Sequence, residues 1–283
     1  MVITVEQLIK RAGDLPPIPQ TAQKALLLIR NPDTNVSEIA SIMAVDQVLT
    51  SLVLRWANSA YYGIGNQIST VQQAVMVLGL NTVQSLILAS TVASYLDRPL
   101  PGYDLERGEM WKHAVGVATG ARTLASRFGR QISEEAYHAG LICDIGKLAF
   151  EFLLRDVRVD RPEWEDLTFL ELEHARFGID HATLGAEMAR RWNLPENLVS
   201  AIAFHHNPSQ AGEHGRIAAA VHVADAAMMV LGYGIGKDGL QYKLDPVAMK
   251  ILGLNENGMP ELIECMTTQI QEIESFIGFD WKS

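Results

Sequence analysis

The sequence predicts an all-α protein of two contiguous helical lobes. Three observations carry that expectation. Apolar residues recur at helical spacing along almost the whole chain. Side chains that cap helix N-termini stand just before those runs. The links between runs are short, and few segments alternate as strands do. With 283 residues the chain is long enough for one large domain or two ordinary ones, and 48% hydrophobic residues provide for a sizeable core. The balance of 23 basic against 33 acidic residues, a net charge of −10, argues against a nucleic-acid partner, which needs a basic face. Two cysteines, Cys143 and Cys265, make no disulfide framework and suit a reducing compartment.

Taken in order, Thr4 and Gln7 have capping-box spacing ahead of Leu8-Ile9. Leu15 to Pro19 is a proline-broken turn. A helix is expected over Gln20 to Ile29, ending at Asn31-Pro32. Asn35 or Ser37 caps the next helix, with Ile39, Ile42 and Met43 on one face, and Asp46 opens another. Thr70 to Tyr95 reads as two helices divided near Gly79. Pro99-Leu100-Pro101-Gly102 breaks the chain, so the lobes are expected over 1–100 and 101–283. Beyond it, a long helix over Asp104 to Phe128 stops at Gly129, and Ser133 opens a helix running through Asp144. Arg155 to Glu165 is a charged, solvated connection. Thr168 with Glu171, then Asp180, cap the next two helices. A helix from Leu194-Pro195 ends at His205-His206, Arg216 to Leu231 forms another, and Gly232 to Gly236 is a turn. The stripe Leu26 and Ile29 and the pair Met228-Met229 read as core.

No signal-peptide pattern opens the chain, and the most apolar run, Ile217 to Leu231, is too short to span a bilayer. A cytoplasmic protein with no membrane partner is expected.

The stretch that promises chemistry is Tyr137 to Lys147, where Asp144 interrupts an apolar run. A lone buried charge is costly, so Asp144 needs a metal, a cation or a set of hydrogen bonds. Histidines recur in similar apolar segments: His113, His181, His205-His206, and His222 ahead of Asp225. Their order resembles the HD superfamily of metal-dependent phosphohydrolases, whose members present a His, a His-Asp doublet and a last Asp. The HD-GYP branch adds a Lys, another His and a His-His pair. Those positions match His113, Cys143-Asp144, Lys147, His181, His205-His206 and Asp225. Cys143 stands where the name-giving histidine belongs, and the Gly-Tyr-Pro tripeptide is replaced by Asn207-Pro208-Ser209. The wording Leu15 to Pro19, Leu54 to Gly63 and Gln73 to Leu80 is similar to the HDOD domain, and the resemblance spans roughly residues 10 to 230.

The resemblance implies a bacterial signalling module that acts by binding, with a degenerate HD site and little or no catalysis. The rival is a phosphohydrolase of a nucleotide or cyclic dinucleotide, with Asp144 bridging metals and Lys147 stabilising phosphate charge. It implies a metal set of His113, Cys143, Asp144, His181, His205, His206 and Asp225, holding one or two divalent ions (zinc, iron or manganese) or none. Other signalling proteins, and a nucleotide or cyclic dinucleotide, are the implied partners. Cys143 is expected as a zinc ligand or as a buried thiol. Glu109, four residues before His113, is expected either to orient it or to ligate, or to form a plain surface pair. His138, His174, His214 and His222 read as structural. Arg55, Asn58 and Tyr61 share one side of a helix and are expected to form an internal cap between helices, or else to face the second lobe or a partner.

Overall fold

The computed structural model describes residues 19–31, 33–58, 67–80, positions 83, 84, 87, 88 and 91, and residues 95–154, 167–192, 194–236, 244–254 and 258–277. Among these there is no strand, only an isolated antiparallel bridge between Leu100 and Leu105. The chain divides into two compact units, one within Pro16–Tyr95 and one within Leu96–Ile270. The readings at Thr4–Gln7 and Leu15–Ile18, at Tyr61, and over 155–165 lie outside the described residues.

The first unit contains α1 (Gln20–Arg30), α2 (Val36–Ala44), α3 (Gln47–Ala57) and α4 (Val71–Leu78). Its helix starts follow local chemistry. Asn35 accepts from Ser37 N at 2.9 Å, and Thr70 accepts from Gln73 N at 3.1 Å. Asp46 accepts from Leu49 N at 2.9 Å and from the Thr21 hydroxyl at 2.7 Å, tying the start of α3 to α1. Asn58 closes α3 as an internal cap. Its amide donates to Leu54 O and to Ile68 O, and its carbonyl accepts from Ile68 N, each at 2.7 Å. Arg55 is exposed. Ala22, Ile39, Met43, Val53 and Ala74 fill the core of this unit.

The second unit contains α5 (Glu109–Ala125), α6 (Arg130–Ile142), α7 (Lys147–Leu154), α8 (Phe169–Phe177), α9 (His181–Arg191), α10 (Glu196–Phe204), α11 (Gly215–Val230) and α12 (Pro246–Leu252). A last helix, α13, spans Gly258–Ile277. The helix expected from Asp104 begins five residues later. Leu100 and Leu105 exchange backbone hydrogen bonds around a 3₁₀ turn at Pro101–Tyr103, and Asp104 takes a left-handed φ of 59° that no helix tolerates. α5 packs along both α6 and α11. Val117, Ala121, Ala139, Val221 and Ala224 form the seam, joined by Leu262 and Met266 of α13. Small residues dominate it, so the helix axes approach closely and the few polar groups between them are enclosed. α6 ends at Ile142, so Asp144 sits in the turn that follows and not within the helix as expected. No described helix is long and apolar enough to cross a membrane.

Candidate metal centre

The candidate residues arrive from six segments of the second unit. His113 lies mid-way along α5, Asp144 in the α6–α7 turn, and Lys147 at the first position of α7. His181 opens α9, His205 and His206 follow α10, and Asp225 lies on α11. Two local features bring the turn to α9. Asp180 caps α9 by accepting from Thr183 N at 2.7 Å, which leaves His181 as the first helical residue. Gly146 lets the backbones meet: a Cβ there would run into the His181 carbonyl and lie 2.8 Å from Gly185 N.

The donors fall into two groups that share Asp144. One is Asp144, His181, His205 and His206; the other is His113, Asp144 and Asp225. Within each, one donor atom per residue lies within 4.8 Å of the others. Asp144 Oδ1 is 3.2 Å from His181 Nε2 and 3.6 Å from His205 Nε2. Asp144 Oδ2 is 2.9 Å from Lys147 Nζ and 3.2 Å from His113 Nε2, whose other carboxylate neighbour, Asp225 Oδ1, is at 2.9 Å. His181 Nε2 is 2.9 Å from His206 Nε2.

The outer ring nitrogens set the tautomers. His113 Nδ1 donates to Tyr233 O at 3.0 Å, His205 Nδ1 to Ile202 O at 2.7 Å, and His181 Nδ1 to Glu173 Oε2 at 2.8 Å. All three therefore turn Nε2 towards the centre, the presentation a metal-bound imidazole needs. Among the described residues, His113 Nε2, His205 Nε2 and Asp144 Oδ1 are buried without an aligned hydrogen bond. Buried polar atoms seldom go unpartnered, and these three point at the shared space. The donor set therefore fits a divalent metal, with imidazole and carboxylate ligands suited to zinc, iron or manganese.

Without a cation, protons balance the site. Burial alone would lower His113, but Asp144 and Asp225 outweigh it and push it up to about 9. His181 behaves likewise: burial opposes, yet Glu173 and Asp144 raise it to about 10. Burial works against ionisation of Asp144, but Lys147 and the three histidines hold it well below the usual carboxylate range. Asp225 is lowered against burial by His113, and Lys147 is raised against burial by Asp144 and Asp225. Burial, with His205 and His181 beside it, holds His206 well below its ordinary value, so protonated His181 donates to it.

Of the two outcomes expected for Cys143 the structure has the buried thiol, and Glu109 stands apart from His113. Cys143 belongs to neither donor group. Its Sγ donates to Gly140 O at 3.3 Å and packs in the α5–α6–α11 core. Burial, followed by Asp144 and Asp225, pushes the thiol up, so it stays neutral. Glu109 does not orient His113. Its carboxylate accepts from Glu106 N at 2.6 Å at the start of α5, and the Tyr233 carbonyl holds the imidazole.

Two contributors escaped sequence reasoning. Glu173 is fully buried and accepts from His181 N at 2.6 Å and from the Tyr103 hydroxyl at 2.5 Å, in addition to the His181 ring. Its signal was its position, four before Phe177 on the apolar face of α8. Gly232 to Gly236, read as a plain turn, straps His113. A Cβ on Gly234 would lie 2.6 Å from His113 Nδ1, and its φ is +72°. The histidines read as structural have local partners. His222 donates from Nδ1 to His205 O and accepts from Asp245 N, both at 2.8 Å, and His174 pairs with Asp180 at 2.9 Å. His214 lies 3.9 Å from Glu213. Burial and Arg122 drive buried His138 down to about 3.

A narrow cleft, partly open to solvent, sits over the cluster. Lys147, His206 and Asp225 line its polar side, and Tyr103, Phe169 and Met229 its apolar side. The Tyr103 and Phe169 rings lie 4.8 Å apart, with Lys147 Nζ 5.9 Å from the Tyr103 ring.

The HDOD domain model matches residues 15–208 of the chain. A curated relative, an uncharacterized protein of Treponema pallidum (strain Nichols), is 29% identical over 207 residues. That match covers 72% of this chain and 40% of the relative, so the chain spans well under half the relative's length. Among solved structures, a proposed phosphohydrolase from Shewanella amazonensis SB2B superposes with a TM-score of 0.73 at 26% identity, covering 96% of this chain and 98% of that one. An HDOD domain protein with unknown function from Geobacter sulfurreducens superposes with a TM-score of 0.66 at 25% identity, covering 97% and 96%.

Proposed function

Because the chain belongs to the HDOD domain family, we propose that it is a bacterial regulatory module that acts by binding other signalling proteins and has little or no catalysis. The observation that carries this reading is the position of Cys143. The residue standing where the HD doublet needs a histidine sends its sulfur into the core and adds no donor to the centre. The remaining donors, built around Asp144, support retention of a divalent ion that would tie the α6–α7 turn to α9 and the end of α10. Such an ion would supply Lewis acidity towards a phosphoryl oxygen. This chain's own contribution is to enclose the carboxylates and hold each imidazole in one tautomer.

A second reading, hydrolysis of a phosphate ester such as a nucleotide or cyclic dinucleotide, is favoured by one feature. Lys147 and solvent-reached His206 line a narrow cleft with an aromatic wall. In that case Lys147 would pair a phosphate oxygen and Asp144 would anchor the metal. Elemental analysis of protein purified without added metal, combined with turnover assays on nucleotide monophosphates and cyclic dinucleotides, separates the two. Bound metal with no turnover supports the regulatory module. Turnover that vanishes in Asp144→Ala moves the protein to the enzymes.

A further inference from the structure

We propose that this chain holds one divalent ion tightly, between Asp144 Oδ1, His181, His205 and His206, and that Lys147 fills the role of a second cation on the Asp144 Oδ2 side. The inference rests on the reading of the cluster as a metal centre and adds its stoichiometry and asymmetry.

The two oxygens of Asp144 have different neighbours. Oδ1 is buried and aligned in no hydrogen bond among the described residues, and it faces His181 and His205 at 3.2 and 3.6 Å. His205 Nε2 is unaligned as well. Both atoms belong to the four-donor group, and four donors complete a tetrahedral shell. Oδ2 is already satisfied, because the Lys147 ammonium donates to it at 2.9 Å. A metal on that side would find three protein donors, His113, Asp144 and Asp225, and would share one carboxylate oxygen with a fixed positive charge. The fourth donor that a histidine at position 143 would add is missing, since the Cys143 sulfur is engaged with Gly140 O.

Lys147 cannot readily leave. Its position at the start of α7 is set by the Asp144 turn, with Lys147 N donating to Asp144 O at 2.9 Å, so backbone and side chain are both anchored to the same residue. Lysine is a compact point charge with three donors and suits a single-oxygen contact of this kind. The chain thereby replaces a removable cation with a covalently attached one, which leaves the centre mononuclear.

The test is a zinc titration of the demetallated full chain against a chromophoric chelator, read alongside the electronic spectrum of the cobalt(II)-loaded protein. The expected result is one tight equivalent per chain. Any second equivalent should be at least about 100-fold weaker, at or beyond the upper end of what losing an outer-shell partner costs. No thiolate-to-cobalt charge-transfer band should appear. His206→Ala should remove the tight equivalent, and Lys147→Met should tighten the weak one about tenfold or more. Two equivalents of equal affinity, or a thiolate band, overturn the inference and leave the metal reading intact. No binding at all, with the fold verified by circular dichroism, overturns the metal reading itself. Should His206→Ala fail to fold, the wild-type stoichiometry, the cobalt spectrum and Lys147→Met decide the matter.

Discussion

Glu173 is the residue whose replacement tests the architecture of the centre most directly. Its carboxylate is fully buried and receives three hydrogen bonds, from His181 N at 2.6 Å, His181 Nδ1 at 2.8 Å and the Tyr103 hydroxyl at 2.5 Å. Hydrogen bonds to a charged group contribute roughly 1.5–3 kcal/mol each, and a buried donor left unpaired costs about 1–3 kcal/mol. Glu173→Gln keeps an acceptor for both His181 donors but turns an amide towards the Tyr103 hydroxyl and removes the charge, so about 2 kcal/mol should be lost. Glu173→Ala strands all three donors and should cost about 4–6 kcal/mol on the same scale. Tyr103→Phe removes one donor and leaves the carboxylate two, at about 1 kcal/mol. At about 2–4 °C per kcal/mol for a domain of this size, the Gln variant should melt about 4–8 °C lower by differential scanning calorimetry. Because Glu173 fixes the His181 tautomer, zinc affinity should fall about 10–100-fold in the Gln variant. A Gln variant with wild-type melting temperature and wild-type zinc affinity would refute the claim that Glu173 organises the centre.

The other predictions concern the strap, proton linkage and the thiols. Gly234→Ala and Gly178→Ala both place a side chain at positive φ, +72° and +78°, but only the former meets a neighbour, the His113 ring at 2.6 Å. Gly178→Ala should cost about 1 kcal/mol and Gly234→Ala about 2 kcal/mol more, measured by chemical denaturation; equal costs would argue against the strap. The metal-free protein should be most stable near pH 6.5, because buried His138, His206 and His222 are held low and cost stability as pH falls below that value. His113 and His181 are raised from 6.5 to about 9 and about 10, so their contribution is whole below 6.5 and is lost as pH climbs through those values. For His113 that loss reaches about 3 kcal/mol at most, and the two do not add because both lean on Asp144. Asp144 and Asp225 are depressed, so their contribution is lost as pH falls below the usual carboxylate range. Denaturation midpoints that stay level from pH 6 to 10 without metal would contradict this linkage. Finally, half-buried Cys265 should react with a thiol reagent in the folded protein and Cys143 only after unfolding; two fast thiols in the native state would mean that Cys143 is not enclosed.

The sequence by itself determined the helical class and most helix starts. Asn35, Asp180 and the Thr168–Glu171 pair cap as their positions imply, because a cap needs only a side chain and a backbone amide two or three residues away. It also supplied the residue types of the centre, since polar groups on apolar helices stand out against the pattern. Tertiary structure alone decided which way each of them faces. Cys143 and Asp144 are neighbours in one turn, yet the sulfur enters the core and the carboxylate enters the centre. That division depends on where α6 stops, and helix ends are the least defined feature of a periodic pattern. Glu173 and the Tyr233 carbonyl escaped notice for a related reason. A buried carboxylate on α8 takes its role from an imidazole eight residues away, and a backbone carbonyl looks the same at every position until the chain folds it against a ring.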